Sequence, residues 1–291
     1  MLHEPLSKYT SFRIGGPADY FLEPVDKNDV VRLIKYLQEH DVPFIIVGHG
    51  SNLLVSDDGI RGAIINLEYG LNNVQLEGNL IVAEAGVHLT RFVDFCIQQG
   101  RKGVEMLAGI PGTIGGAVIM NAGAYGGEIS DGLKEVEIVR EGHVITVKKE
   151  DAAFAYRRSG LNRDIVLAAS FALPEGDKPE LMHRRRELLI KRNQSQPLNL
   201  PSSGSVFKNP KGTFAAKLIE ESGLKGTCRG KAQISEKHGN FIVNTGGAKA
   251  SDVLELMRLA QSTVLKKFNV KLEPEVKLVG FAEEIYKELY N

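Results

Sequence analysis

Val47-Gly48-His49-Gly50-Ser51-Asn52-Leu53-Leu54-Val55 is the stretch that decides the fold of this chain. The apolar run Val42-Pro43-Phe44-Ile45-Ile46-Val47 leads into it and reads as a buried strand. Two glycines so spaced invite a dinucleotide-binding reading, but that fingerprint needs a third glycine and a helix opening directly after the loop. Here Leu53 takes the third-glycine position, and Leu-Leu-Val, a strand, follows. A Walker-type loop is excluded as well, since no Gly-Lys-Ser/Thr occurs here. What remains is strand, loop, strand. Consecutive bare amides in such a loop cradle a pyrophosphate, with Ser51 and Asn52 as added donors. A plain glycine turn completed by Asn52 fits the same residues.

A second glycine-dense stretch shifts the balance. Gly109-Ile110-Pro111-Gly112-Thr113-Ile114-Gly115-Gly116-Ala117 is followed by Asn121-Ala122-Gly123-Ala124-Tyr125-Gly126-Gly127. Small residues in an apolar stretch let a flat, rigid ligand lie against the backbone. Close strand packing accounts for some of these glycines, but less well for the interspersed Thr113, Asn121 and Tyr125. A large nucleotide cofactor accounts better for both loops.

Around the loops, Asp26 stands where it caps a helix carrying Val30, Val31, Leu33, Ile34 and Leu37 at helical spacing. Short strands are expected over 53–55, 63–67 and 80–83, and a helix over 88–99. Val136-Glu137-Ile138-Val139 and Val144-Ile145-Thr146-Val147, joined through Glu141-Gly142, form a hairpin, with another strand over 165–173. Pro174-Glu175-Gly176-Asp177-Lys178-Pro179 is the best linker candidate. Beyond it, helices over 180–193, 213–221 and 251–268 alternate with strands over 241–244 and 272–279, a smaller α/β unit.

Basic and acidic residues cancel, 36 against 36, so no global field points to nucleic acid or an anionic membrane. No stretch approaches the roughly 18 apolar residues of a membrane span, and no basic-then-apolar leader begins the sequence. Cys96 and Cys228 are far apart and lack metal-ligand spacing. Cys96 lies in an apolar helical run and reads as a buried, inert thiol. No metal site is expected, and a reducing, cytoplasmic location is.

With both loops placed, the chain resembles the flavin-dependent UDP-N-acetylenolpyruvoylglucosamine reductases (UDP-N-acetylmuramate dehydrogenases) of peptidoglycan synthesis. The resemblance runs from Thr10-Ser11-Phe12-Arg13-Ile14-Gly15-Gly16 to Glu275-Val276-Lys277. Between them it rests on Gly48-His49-Gly50-Ser51-Asn52-Leu53-Leu54, Gly109-Ile110-Pro111-Gly112, Tyr156-Arg157-Arg158-Ser159, Gly204-Ser205-Val206-Phe207-Lys208-Asn209-Pro210 and Leu272-Glu273-Pro274-Glu275-Val276. It implies an α+β protein. A two-part FAD-binding domain of the vanillyl-alcohol-oxidase (PCMH) type, residues 1–176, is followed by a smaller α/β substrate-binding domain, 177–291. At 291 residues the chain is too short for the inserted substrate-covering segment of the longer members and is similar to the type II form. The resemblance further implies non-covalent FAD, NADPH as co-substrate and a UDP-sugar substrate. A monomer with no nucleic-acid or membrane partner is expected.

By the same resemblance the FAD contacts are Gly48, His49, Gly50, Ser51, Asn52, Leu53, Gly109, Ile110, Pro111, Gly112, Thr113, Gly115, Gly116, Asn121, Ala122 and Gly123. Ser205 matches the proton donor. A neutral hydroxyl is a weak acid and needs orientation and help, whereas most loop serines are turn or cap residues. Arg157 matches the cation that stabilises a developing enolate, while Arg158 reads as a surface charge. Glu275 matches the active-site acid; beside an enolate it must be protonated or aimed at the carboxylate side. Glu273 would share its face in a regular strand, and only the match favours Glu275. Tyr125, Lys208, Asn209 and His238 are candidate substrate contacts, His238 reading equally well as an exposed turn histidine. Two other readings stand beside this one. A flavin oxidase of the same fold, acting on an alcohol or hydroxy acid, leaves the Ser205 loop and Glu275 unexplained. A non-catalytic nucleotide-binding module would use the glycine loops alone.

Overall fold

The computed structural model describes residues 1–290. Two compact units make up the chain, and neither is one continuous stretch. One comprises residues 21–49 and 63–192; the other comprises 1–20, 50–62 and the chain from 193 onward.

In the unit built from 21–49 and 63–192, Asp26 caps helix Lys27–Glu39 by accepting from the Asp29 amide at 2.7 Å. Val30, Ile34 and Leu37 lie along one helix face and are buried. The helix delivers the chain to Phe44–Val47, which pairs in parallel with residues 63–66 of Ile60–Asn66. An antiparallel five-stranded sheet follows, in the order His143–Lys148, Leu133–Arg140, Ile165–Ala172, Leu80–Glu84, Val74–Glu77. At the hairpin turn Glu141 and Gly142 have φ of +51° and +77°. Two left-handed residues are what a two-residue turn needs to follow the twist of its strands. Helix Leu89–Gln98 buries Phe92 against Phe171, ring centroids 4.6 Å apart. Cys96 is buried in the same core, where desolvation pushes its thiol far above its ordinary value, so it is inert as read. Residues 174–176 run along 100–102: the Lys102 amide donates to the Pro174 carbonyl and the Gly176 amide to Gly100, each at 2.9 Å.

The other unit gathers sequence-distant pieces round a second core. Leu53–Val55 pairs in parallel with Lys277–Val279. Cys228–Arg229, Ala232–Ile234 and Ile242–Asn244 form a three-stranded antiparallel sheet. Helix Ala250–Phe268 buries Val253, Leu256, Met257, Ala260 and Val264 with Phe12, Ile14, Leu54 and Phe207. The strand expected over 272–279 exists only as Lys277–Val279. Pro274 has no N–H to give a ladder, and among the described residues it makes an isolated bridge to Phe207. Leu272, Pro274 and Val276 are buried while Glu273 is exposed and Glu275 half-buried, so the two carboxylates share the less buried face, as a regular alternation would place them. No helix among the described residues is long and apolar enough to cross a membrane.

The last long helix is capped from far away. Asp57 accepts from the amides of Ala250 at 2.7 Å and Ser251 at 3.1 Å, 193 positions separating the first pair. Asp57→Ala is expected to cost about 1–2 kcal/mol, the usual loss on removing an N-cap carboxylate. A lower urea midpoint at unchanged slope is the reading that checks it.

Candidate active site

In the first unit Gly48 and Thr113, one from each glycine-rich stretch, lie in contact. A methyl group at Gly48 would stand 2.2 Å from Thr113 Oγ1, so only glycine permits the approach. Thr113 is buried, and its segment is held by a bridge to His88 and by the Leu89 amide donating to Gly112 at 2.9 Å. Asn66 holds the other side: its Nδ2 donates to the Gly48 carbonyl at 3.1 Å, and its Oδ1 accepts from the Glu68 amide at 2.9 Å. Gly116 is exposed, and a methyl there would meet only Thr113 Oγ1, at 3.8 Å. Among the described residues no backbone carbonyl accepts from the amides of His49, Gly50 or Asn52 outside regular strands. Bare amides are what a diphosphate requires, so the 48–52 loop fits a dinucleotide such as FAD.

The polar residues among the glycines are differently employed. Asn121 is 0% exposed; its Nδ2 donates to Glu128 at 2.6 Å and to the Ala155 carbonyl at 3.1 Å, and its Oδ1 accepts from the Ser130 amide. At φ +43° it also ends helix Ile114–Met120. Its amide is used as well, donating to the Val118 carbonyl at 3.2 Å. Ile110 and Ala122 pack against the core, with Pro111 exposed and Gly123 in a two-residue strand. Tyr125 is exposed and donates to the Leu188 carbonyl at 3.3 Å.

Arg157 belongs to the same unit. It sits in a tight turn in which Ala155 and Arg158 exchange both backbone hydrogen bonds, at 3.0 and 3.1 Å. Its φ is +57°, and its guanidinium carbon lies 5.0 Å from the centre of the Tyr156 ring. Left-handed backbone costs a non-glycine residue about 1–2 kcal/mol. Strain of this kind concentrates at functional sites.

The second unit holds Ser205, Lys208, Asn209, His238 and Glu275, and the backbone ties their segments together. Ser205 bridges to Phe241. The Val206 amide donates to the Asn240 carbonyl, and the Val206 carbonyl accepts from the Glu275 amide at 2.8 Å. Asn52 Nδ2 donates to the Glu275 carbonyl at 3.1 Å, and the Lys277 amide to the Asn52 carbonyl at 2.9 Å. Asn240, which is buried, clamps Phe207 on both sides, its Oδ1 accepting from the Phe207 amide and its Nδ2 donating to the Phe207 carbonyl. Lys208 is ion-paired with Glu273. Asn209 Oδ1 accepts from the Ala215 amide at 3.1 Å, at the start of helix Ala215–Glu221. His238 packs edge-on to Phe241, ring centroids 4.7 Å apart, and accepts from the Asn240 amide through Nδ1 at 3.3 Å. Burial holds its imidazole below the ordinary value, with the positive charge of Lys225 acting the same way.

Two features escaped the sequence reading. Ser203 is 3% exposed and its hydroxyl has no hydrogen-bond partner among the described residues. An orphaned buried hydroxyl costs about 1–3 kcal/mol, and its position two residues before Ser205 was the available signal. The other is a His–Glu–His group: Glu68 accepts from both His49 and His88. The hydrogen bond to Glu68 raises the His49 imidazole above its ordinary value and holds the Glu68 carboxyl below its own. These residues come from three separate segments, so no spacing in the sequence announces them.

Comparison with known proteins follows the same lines. Residues 18–148 match the family described as FAD binding domain, and 196–279 match UDP-N-acetylenolpyruvoylglucosamine reductase, C-terminal domain. A UDP-N-acetylenolpyruvoylglucosamine reductase from Chloroherpeton thalassium is 45% identical, over 97% of this chain and 94% of that one. One from Pediococcus pentosaceus is 46% identical, over 96% and 93%. The crystal structure of the Thermus caldophilus reductase superposes with a TM-score of 0.83 at 38% identity, covering 95% of this chain and 97% of that one. An FAD-binding domain of α+β build with a reductase C-terminal domain defines a flavoprotein reductase. The chain belongs to the UDP-N-acetylenolpyruvoylglucosamine reductase family.

Two expectations follow from the local geometry. Because Arg157 is left-handed, Arg157→Gly is to be more stable than Arg157→Ala by about 1 kcal/mol, read from urea midpoints. Equal stability would mean that the turn is not left-handed in solution. The half-buried His238, its imidazole held below the ordinary value by desolvation, contributes its full stability above that value of 6.5. As pH falls below it the unfolded chain takes up a proton that the fold resists, so stability drops. Denaturation midpoints for the unaltered chain and His238→Gln, compared above and below that pH, check it: the variant loses part of the slope.

Proposed function

We propose that the chain reduces the enolpyruvyl group of UDP-N-acetylenolpyruvoylglucosamine to give UDP-N-acetylmuramate at the expense of NADPH, a step of peptidoglycan synthesis. The observation that carries this reading is the Ser205–Glu275 framework, with Glu275 bonded through its amide to the residue after Ser205. It lies in a chain similar throughout to reductases of that name. The glycine loops of 1–176 hold FAD without a covalent link, chiefly through backbone amides, and 177–291 carries most of the substrate contacts. Residues 1–20 and 50–62, which pack with the C-terminal core, complete that half. The enzyme works as a cytoplasmic monomer.

Bound FAD would supply the hydride relay from NADPH to the far carbon of the enolpyruvyl double bond. The protein supplies the rest. Ser205 gives a proton to the carbon beside the substrate carboxylate, converting the double bond to a single one. Arg157 offsets the negative charge growing on that side through charge-assisted hydrogen bonds. Glu275 is held by its backbone amide, which donates to Val206, and by its carbonyl, which accepts from Asn52. It polarises the carboxylate end. Lys208, Asn209, Tyr125 and His238 contact the sugar nucleotide, with Lys208 moving from or sharing its partner Glu273 as a phosphate arrives.

Anaerobic stopped-flow of the two half-reactions tests this. NADPH is to bleach the flavin, and the enolpyruvyl sugar nucleotide is to restore its absorbance; failure to restore it overturns the reading. Rapid restoration by oxygen instead, with no need for NADPH, would mark an oxidase. Ser205→Ala is to leave bleaching nearly intact and slow restoration roughly 10²–10⁴-fold, the size of one positioned proton transfer. Equal loss in both half-reactions would assign Ser205 to the framework alone.

A further inference from the structure

His49, Glu68 and His88 form a ligand set of a kind that the reductase chemistry does not use. Each offers one donor atom, and the three atoms lie within 4.8 Å of one another. His49 Nδ1 stands 3.3 Å from Glu68 Oε1, and His88 Nε2 meets the same oxygen. The two imidazoles face each other edge to face, ring centroids 5.0 Å apart. All three side chains are partly exposed, Glu68 the least at 18%.

Each ligand is fixed by its own backbone. His49 follows strand Phe44–Val47. The Glu68 amide is bonded to Asn66, which also holds the Gly48 carbonyl. His88 directly precedes helix Leu89–Gln98 and bridges to Thr113. Buried Asn66 and Thr113 thus set the spacing of the group.

We propose that His49, Glu68 and His88 bind a divalent first-row transition cation, of which zinc is the representative. Two imidazoles and one carboxylate are borderline ligands that suit zinc and its neighbours; calcium and magnesium prefer all-oxygen sets. Zinc holds nitrogen and oxygen ligands at about 2.0–2.2 Å, so tetrahedral ligands stand about 3.4 Å apart. Small rotations of two half-exposed imidazoles bring the set to that spacing. Three protein ligands leave a position for water or an anion. Coordination uses the His49 side chain and leaves the loop amides, which carry the proposed FAD contacts, untouched. The site does not depend on the reductase reading and is tested without activity.

The test is titration calorimetry with Zn²⁺ alone, on the tag-free, metal-stripped chain carrying its flavin and again after the flavin is removed. One Zn²⁺ per chain is expected. His88→Ala and Glu68→Gln are each to weaken it by more than about 100-fold, above the 10–100-fold typical of losing an outer-shell partner. His183→Ala, which disrupts the exposed His183–Glu187 pair, is to leave it unchanged. X-ray absorption of the zinc-loaded unaltered chain is to show only nitrogen and oxygen ligands, so the result stands even if a variant fails to fold. Absence of stoichiometric binding in both forms, binding unaffected by both substitutions, or sulfur in the zinc shell would overturn the proposal. The group would then be a hydrogen-bonded ion triad and nothing more.

Discussion

The parallel pairing of Leu53–Val55 with Lys277–Val279 is the constraint on which the second unit depends. It places the residue before the first strand, Asn52, beside the approach to the second, so that Asn52 and Glu275 bond directly. From Glu275 the connection continues through its amide to Val206, and from Val206 to Asn240. Four segments scattered over the sequence become one backbone network, and Ser205 is part of it. A weak acid such as a serine hydroxyl is useful only when its direction is fixed. Here main-chain hydrogen bonds fix the chain on either side of it.

A different device governs the first unit. Its Gly48 and Thr113 are brought into contact by the absence of a side chain at the glycine, and the approach is pinned by Asn66 on one side and the Thr113 segment on the other. Polar residues that look ligand-directed in the sequence, Asn121 above all, spend their side chains on neighbouring backbone. That division of labour is physically sensible. Buried amides and carbonyls must be satisfied within the protein, and Asn121 does this for the Ala155 carbonyl and the Ser130 amide.

Much of this was legible in the residues. Period and capping placed helix Lys27–Glu39 and the Glu141-Gly142 hairpin, because both are decided by neighbours in sequence. The exclusion of a dinucleotide fingerprint at Leu53 also held, since Leu53–Val55 is a strand. What was hidden depends on distant contacts. The last strand is shorter than its apolar pattern suggests because Pro274 cannot donate. Asp57 caps a helix 193 positions away, and the left-handed backbone of Arg157 has no glycine to announce it. The His49, Glu68 and His88 group is invisible for the same reason, each member being unremarkable in its own segment.

The interleaved course of the chain bears on its synthesis. Phe12 and Ile14 leave the ribosome well over two hundred residues before Val276 and Leu278, which share the core that buries them. At 5–20 residues per second those apolar side chains wait on the order of ten to fifty seconds for their partners. The middle of the chain meanwhile possesses everything required for its own core. The segment carrying Phe12 and Ile14 is therefore a natural client for chaperones until Val276 and Leu278 have been made.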